Sequence, residues 1–413
     1  MKLKLFFISG IFLIHSALFA EVLTWDDCVR YTKANNPTIK IAQEKINQAE
    51  ANVSIAKKNL APNVNFSMSN SENKSSNSTN AYSLGFRQTI FDNRQNDYAV
   101  KALEKTLAAN KYDFLNTSAQ IRYQLRTAFI NLFYAQESLT LSENINQIRK
   151  SNYELVQMKY ASGTENKGSL LLAEAQFVES ETAVKKAKLD IVSMQKALTS
   201  IMGNVDYSYF TVKSSFDLKT NPTDTPDFQV ILSSSPALKS LEQQKESQKF
   251  NLKLESLRIL PSVDISASVG KSDNSFLSNN DLARSAGISL SVPVFAGNVR
   301  KDKIKNATSA YNQSLLNITS NKNSIFNSLQ TSWTNFQESI FDVNTKSKYL
   351  EAYKKRSEIT QAKYSIGLST FDNWTIIEDN LISAKKDYLS AQVQTLQKEA
   401  VWIQTKGGTL DNE

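Results

Sequence analysis

The residues of this chain that could do chemistry gather at two echoing helix ends. Gln157-Met158-Lys159-Tyr160-Ala161-Ser162-Gly163 leads into Thr164-Glu165-Asn166-Lys167-Gly168, and Gln361-Ala362-Lys363-Tyr364-Ser365-Ile366-Gly367 leads into Leu368-Ser369-Thr370-Phe371-Asp372. The glycines suit a tight turn between helices. The side chains around them offer hydrogen bonds and ion pairs, which form and break reversibly, rather than covalent catalysis. The only histidine, His15, lies at the N-terminus, and the only cysteine is Cys28. That excludes internal disulfides, histidine-based triads and His/Cys metal sites within one chain. Carboxylate-only chemistry stays open in principle, but no acid cluster points to it. The expectation is a protein with no enzymatic activity, no cofactor and no metal.

The elements that must position these helix ends are long. Glycine and proline are absent from Phe86 through Ser162 and from Asn298 through Ile366, and again from Ser169 through Met202 and from Leu368 through Lys406. Apolar residues recur three and four apart, as in Ile121, Leu125, Leu132, Ala135 and Leu139, which marks one face of a helix. A helix from about Arg94 to Tyr160 would be roughly 100 Å long and must pack lengthwise against others. Its stripe is diluted by Ala, Ser, Asn and Gln. That suits a curved wall of helices enclosing water better than a two-stranded coiled coil with a sharp seam, although the coiled coil remains the simpler alternative.

Between the helices the pattern switches to period two. Val64, Phe66 and Met68 alternate with Asn63, Asn65, Ser67 and Ser69, and Tyr82, Leu84, Phe86 and Ile90 with Ser83, Gly85, Arg87 and Thr89. Farther on, Val263, Ile265, Ala267 and Val269 alternate with Ser262, Asp264, Ser266 and Ser268. Ile288, Leu290, Val292 and Val294 alternate with Gly287, Ser289 and Ser291. One such hairpin would fit a soluble sheet. Two in an exported chain fit strands with one face to lipid and one to water. Arg87 and Asp264 fall on the polar faces, as charges facing a lumen. The Ser/Asn-rich stretches Ser69–Asn80 and Lys271–Asp281 cannot bury apolar area and are expected as loops in water outside the cell. Four strands cannot close a barrel in lipid, because open edges leave backbone groups unsatisfied. The chain must therefore oligomerise. Three copies would give twelve strands, and a dimer with eight is the rival.

Export is written at the N-terminus. Lys2 and Lys4 precede an apolar stretch, Leu5 to Leu18, that is short for a membrane span, and cleavage is expected after Ala20. The formal net charge is +8. Its basic residues are scattered among acids along the helices, as on solvated faces, so no nucleic-acid partner is expected.

The chain is also built twice. Pro37 and Pro62 recur as Pro236 and Pro261, a period of about 200 residues that is far too long for a solenoid. The expected organisation is a signal peptide, 1–20, then a first repeat, 21–204, with a helix over 24–61, strands over 62–70 and 81–91, and helices over 93–160 and 169–203. A linker over 205–228, outside the helical wall, leads to a second repeat, 229–405. That copy has a helix over 235–260, strands over 261–270 and 284–295, and helices over 298–364 and 370–405. A short polar tail, 406–413, follows.

In this order and at these spacings, the motifs resemble the TolC-like outer membrane factors of Gram-negative bacteria over essentially the whole mature chain. Asn36-Pro37 and Ser235-Pro236 resemble that family's helix openings, and Leu60-Ala61-Pro62 and Leu260-Pro261-Ser262 its helix-to-strand junctions. Val292-Pro293-Val294-Phe295-Ala296-Gly297 resembles its strand-to-helix junction, and Tyr364-Ser365-Ile366-Gly367-Leu368 its hairpin tip. The resemblance implies a mainly α fold with membrane β. It implies a homotrimer whose 12-stranded β-barrel, four strands per chain, continues into a long periplasmic α-helical barrel. It implies the outer-membrane exit duct of a tripartite efflux pump or type I secretion system, conducting passively. Its partners would be outer-membrane lipid, a periplasmic adaptor and an inner-membrane transporter. Tyr364 matches a family tyrosine that takes part in closing the tip. Where a well-known member carries arginine, this chain has Ser369, and it has Asn373 where many carry aspartate. Asp372 and Glu165, repeated around a trimer, would supply replacement acidic rings, with Lys167 pairing to one of them. Ordinary solvated tip charges are the alternative. Gly163, Ile366, Gly367 and Leu368 are the expected adaptor contact. The competing expectation is an exported structural coiled coil or adaptor without a pore.

Overall fold

The computed structural model describes residues 21–72, 78–203, 210–220, 224–273, 282–294 and 297–412. The signal peptide expected over 1–20, the centres of both hairpin loops, residues 204–209 and 221–223 between the two copies, Phe295 and Ala296, and the final residue lie outside the described residues.

The chain divides into two compact units. One contains Leu125–Asp217 and Val343–Gln394 with the N-terminal residues to Ala34. The other contains Asn35–Gln124, Leu218–Asp342 and Thr395–Glu413. In chain order the elements are β1 (Glu21–Leu23), α1 (Trp25–Asn35), α2 (Pro37–Lys58), β2 (Asn63–Glu72), β3 (Ser78–Phe91), α3 (Gln95–Ala161) and α4 (Lys167–Met202). Then come β4 (Phe210–Val212), α5 (Phe228–Ser234), α6 (Pro236–Leu257), β5 (Ser262–Asp273), β6 (Ala283–Ser291), α7 (Val299–Ser365) and α8 (Phe371–Thr405).

The single helix expected over 24–61 is two. Asn36 takes an extended conformation (φ −60°, ψ 122°), and its side-chain oxygen accepts from the backbone N–H of Thr38 at 2.9 Å and Ile39 at 3.1 Å. The cause is local: a residue before proline is pushed out of the helical region, and proline at the first helical position favours a new start. α2 then buries Ile39, Ala42, Ile46, Ala49, Val53 and Ala56, a strict three–four spacing that the diluted pattern elsewhere in the chain does not show.

In the same unit β2, β3, β5 and β6 form one antiparallel sheet in the order β2-β3-β5-β6, leaving β2 and β6 each with an open edge. Val64 pairs with Phe86, Phe66 with Leu84, Leu84 with Val269, and Ile265 with Ile288, so the apolar residues share one face. That face is not covered: Phe66 is 69% exposed and Ile288 73%. The alternation places Ile90 on it, but the register shifts between Thr89 and Phe91, and Phe91 pairs with Val263 instead. A bulge absorbs the extra residue. Both hairpins also run further than expected. Ser71 pairs with Thr79 and Asn70 with Asn80, whose side chains share a 2.9 Å bond, so part of the Ser/Asn-rich stretch is strand rather than loop. β6 stops at Ser291, ahead of Pro293, which has no N–H to give.

The core of this unit is aromatic. Leu232, Leu238, Leu329, Trp333, Phe336, Trp402 and Ile403 pack together, with Trp333 and Trp402 ring centres 5.0 Å apart. The stretch before the second copy is anchored here. Buried Glu399 accepts from the backbone N–H groups of Lys219 (2.7 Å) and Thr220 (2.6 Å), and α5 starts at an Asp227 cap. The tail is not free either: Leu410 is buried and its N–H donates to Ser118 Oγ at 3.1 Å.

In the other unit β1 and β4 pair in parallel. Gln136 on α3 holds Val212 through two bonds, 3.0 and 2.9 Å, and Gln195 on α4 donates to the Phe210 carbonyl. Cys28 is fully buried, and burial pushes its thiol up to about 12. No described helix is long and apolar enough to cross a membrane.

Candidate functional site

The two echoing helix ends fold as the same turn. Gly163 N donates to the Tyr160 carbonyl (3.0 Å) and Thr164 N to the Lys159 carbonyl (2.8 Å). Gly367 N donates to the Tyr364 carbonyl (3.1 Å) and Leu368 N to the Lys363 carbonyl (2.8 Å). This is the Schellman pattern, which places one residue in the left-handed region. Gly163 has φ +76° and Gly367 φ +80°, with open space around both, so backbone conformation rather than crowding calls for glycine. Each following helix is capped: Asn166 Oδ1 accepts from Ser169 N (2.9 Å) and Thr370 Oγ1 from Asn373 N (3.3 Å). Ser369 Oγ accepts from Asn373 Nδ2 at 3.0 Å.

Tyr364 brings the two turns together. It is 2% exposed, and its hydroxyl donates to Glu165 Oε2 at 2.9 Å. Its ring stacks on Trp374 (centres 4.3 Å apart, 13° between planes), Phe371 lies 6.2 Å away, and Lys159 Nζ sits 5.1 Å from the ring centre. Val156 and Ala173 complete the cluster. Burial first, and the Glu165 carboxylate second, push the Tyr364 phenol above its ordinary value of 10.0, so it stays a donor at neutral pH. Glu165 has both oxygens engaged, Oε1 accepting from the backbone and side chain of Asn166 at 3.0 and 3.2 Å.

The other expected site residues do not join this contact. Lys167 and Asp372 are exposed, and neither has a hydrogen-bond or ion-pair partner among the described residues. Asp372 stands in the first turn of α8, where a carboxylate favours the helix terminus. Gly163 and Gly367 are exposed, and Ile366 (71%) and Leu368 (72%) form an uncovered apolar tip.

Sequence reasoning missed the layer behind the turns. Phe371 and Trp374, three apart just past the hairpin glycine, are the signal for an aromatic platform under Tyr364. Behind them buried Arg149 bonds Asp379 and, at 3.2 Å, Gln176, which links α3, α4 and α8. Ser357 donates to buried Glu378, linking α7 to α8. A cavity of about 260 Å³ opens beside Arg149, Gln176, Asp379 and Lys386, with Ile145 and Ile382 also in its wall. These contacts are reversible ties between helices. Among the described residues no group of His, Cys, Asp or Glu is placed to hold a metal.

Arg87 and Asp264 meet on the polar face of the sheet, Nη2 to Oδ2 at 3.6 Å, and Thr89 Oγ1 donates to Asp264 Oδ1 at 2.5 Å.

An open-edged sheet with an uncovered apolar face, in one chain with long helices that end in paired hairpins, defines a channel-forming membrane subunit with a helical extension. The family model for outer membrane efflux proteins matches residues 29–204 and 228–404, and the chain belongs to that family. It is 18% identical over 400 residues to the outer membrane efflux protein BepC of Brucella suis biovar 1 (strain 1330), covering 95% of this chain and 85% of that protein. It is 21% identical over 356 residues to the outer membrane protein TolC of Escherichia coli (strain K12), covering 82% and 71%. Its fold is similar to the crystal structure of the Campylobacter jejuni CmeC outer membrane channel, with a TM-score of 0.81 at 17% identity, covering 92% of this chain and 85% of the other. The chain is thus an outer-membrane efflux channel protein rather than an exported structural coiled coil.

Proposed function

We propose that three copies close the open edges of β2 and β6 into a 12-stranded barrel, and that this trimer is the passive exit duct of a tripartite pump or type I secretion system. A periplasmic adaptor meets the exposed tip made by Gly163, Ile366, Gly367 and Leu368, and an inner-membrane transporter supplies the energy. The duct closes at its hairpin tips, where Tyr364 and Glu165 act as the latch. The observation that carries this reading is the half-buried Tyr364–Glu165 bond, which joins the two hairpins of one chain. A net bond of about 1 kcal/mol, repeated around a ring, holds a tip closed yet lets a partner break it. Asp372, exposed and without a partner among the described residues, is left to face the pore as an acidic ring.

Single-channel conductance in planar bilayers tests both parts. Tyr364→Phe keeps the ring stack and removes the donor, so small wild-type steps should become larger. Asp372→Ala should leave step size closer to wild type and lower cation preference. Identical steps in wild type and Tyr364→Phe would remove the latch, and unchanged selectivity in Asp372→Ala would remove the acidic ring.

A further inference from the structure

We propose that Arg87 and Asp264 form a charge-compensated collar that sets the ion preference of the barrel lumen; this rests on the duct reading above. Among the described residues these are the charged side chains on the polar face of the sheet. The strand alternation puts the other strand charges on the opposite face: Arg284 pairs with Val269, Lys271 with Tyr82, and Glu72 follows Val64, Phe66 and Met68 at even spacing. The rest of the polar face is small and neutral, with Ser67–Ser83 and Ser268–Ser285 hydroxyl pairs at 2.8 Å.

The pair is asymmetric. The Asp264 side chain is 13% exposed and fixed by Thr89, whereas that of Arg87 is 71% exposed. It stands where the sheet meets its helices, since Asn93 Nδ2 donates to the Pro261 carbonyl at 2.6 Å, three residues before Asp264. A cavity of about 640 Å³ opens there, lined also by Asp92 and Arg258. Arg258 is balanced by Glu255 at 3.3 Å, whereas Asp92, held by the N–H groups of Arg94 (3.0 Å) and Asn96 (2.7 Å), adds a fixed negative charge. Against that constant background the balance of charge on the polar face of the sheet is set by Arg87 and Asp264. Together they present a short dipole that salt screens within about 8 Å. Separately, each would leave one full charge per copy, repeated around the lumen, and rings of one sign select ions.

The test is the reversal potential of the wild-type channel in a KCl gradient, beside Arg87→Gln, Asp264→Asn and the double variant. Asparagine keeps an acceptor for Thr89. Arg87→Gln should shift the K⁺/Cl⁻ permeability ratio toward K⁺ by roughly twofold, Asp264→Asn toward Cl⁻ by a similar factor, and the double variant should return to wild type. Channels of normal conductance whose ratio is unmoved by either single change would overturn the collar and leave the duct standing. No conductance from any of the four, wild type included, would overturn the duct reading itself and the collar with it.

Discussion

One hydrogen bond, 2.9 Å from the Tyr364 hydroxyl to Glu165 Oε2, joins two hairpin ends that are far apart in the chain. The donor is buried in an aromatic cluster, and the acceptor is half-buried with its other oxygen on Asn166. That is a suitable build for a latch: one half is rigid and the other can be reached by a partner. It also means that Glu165 is tied within its own chain, by neutral donors that leave its charge in place.

The latch should be indifferent to pH over the physiological range. The folded-state phenol lies above its unfolded value of 10.0. Its contribution is therefore whole below that pH and is lost as pH rises beyond it, because the unfolded chain gives up the proton first. Thermal unfolding followed from pH 6 to 11 should show a steeper alkaline loss in wild type than in Tyr364→Phe. Equal slopes would mean that Tyr364 is not the group responsible.

Gly367→Ala should strain the second turn through its φ of +80° and not through crowding, since nothing lies within reach of the added carbon. The cost should be about 1 kcal/mol, visible as a small drop in unfolding midpoint with assembly intact. A bulkier residue there should abolish efflux in cells while the protein still reaches the outer membrane. Full efflux with Gly367→Trp would separate this tip from the adaptor.

The two copies start their proline helices differently, and mutation should reveal it. Asn36 accepts two backbone bonds, while Ser235 makes no side-chain cap bond. Asn36→Ala should cost about 1 kcal/mol and Ser235→Ala much less. Equal losses in denaturant unfolding would show that the cap geometry does not control stability here.

The sequence by itself determined whatever depends on near neighbours. Alternation along β2, β3, β5 and β6 assigned the apolar face, because side chains on a strand must point to opposite sides. The absence of glycine and proline between Phe86 and Ser162 fixed a long helix, and the repeated Tyr-x-x-Gly ends fixed two Schellman turns. Where one local signal met another, the finer outcome was still local: Pro37 splits the first helix at Asn36. Tertiary structure decided what depends on residues distant in the chain. It brought Glu165 to Tyr364, Asp264 to Arg87, Glu399 to Lys219 and Thr220, and Ser118 to Leu410. It also placed Phe91 rather than Ile90 opposite Val263. None of these follows from spacing, because a hydrogen bond or a register is set by the geometry of two elements together, and each sequence segment specifies only one of them.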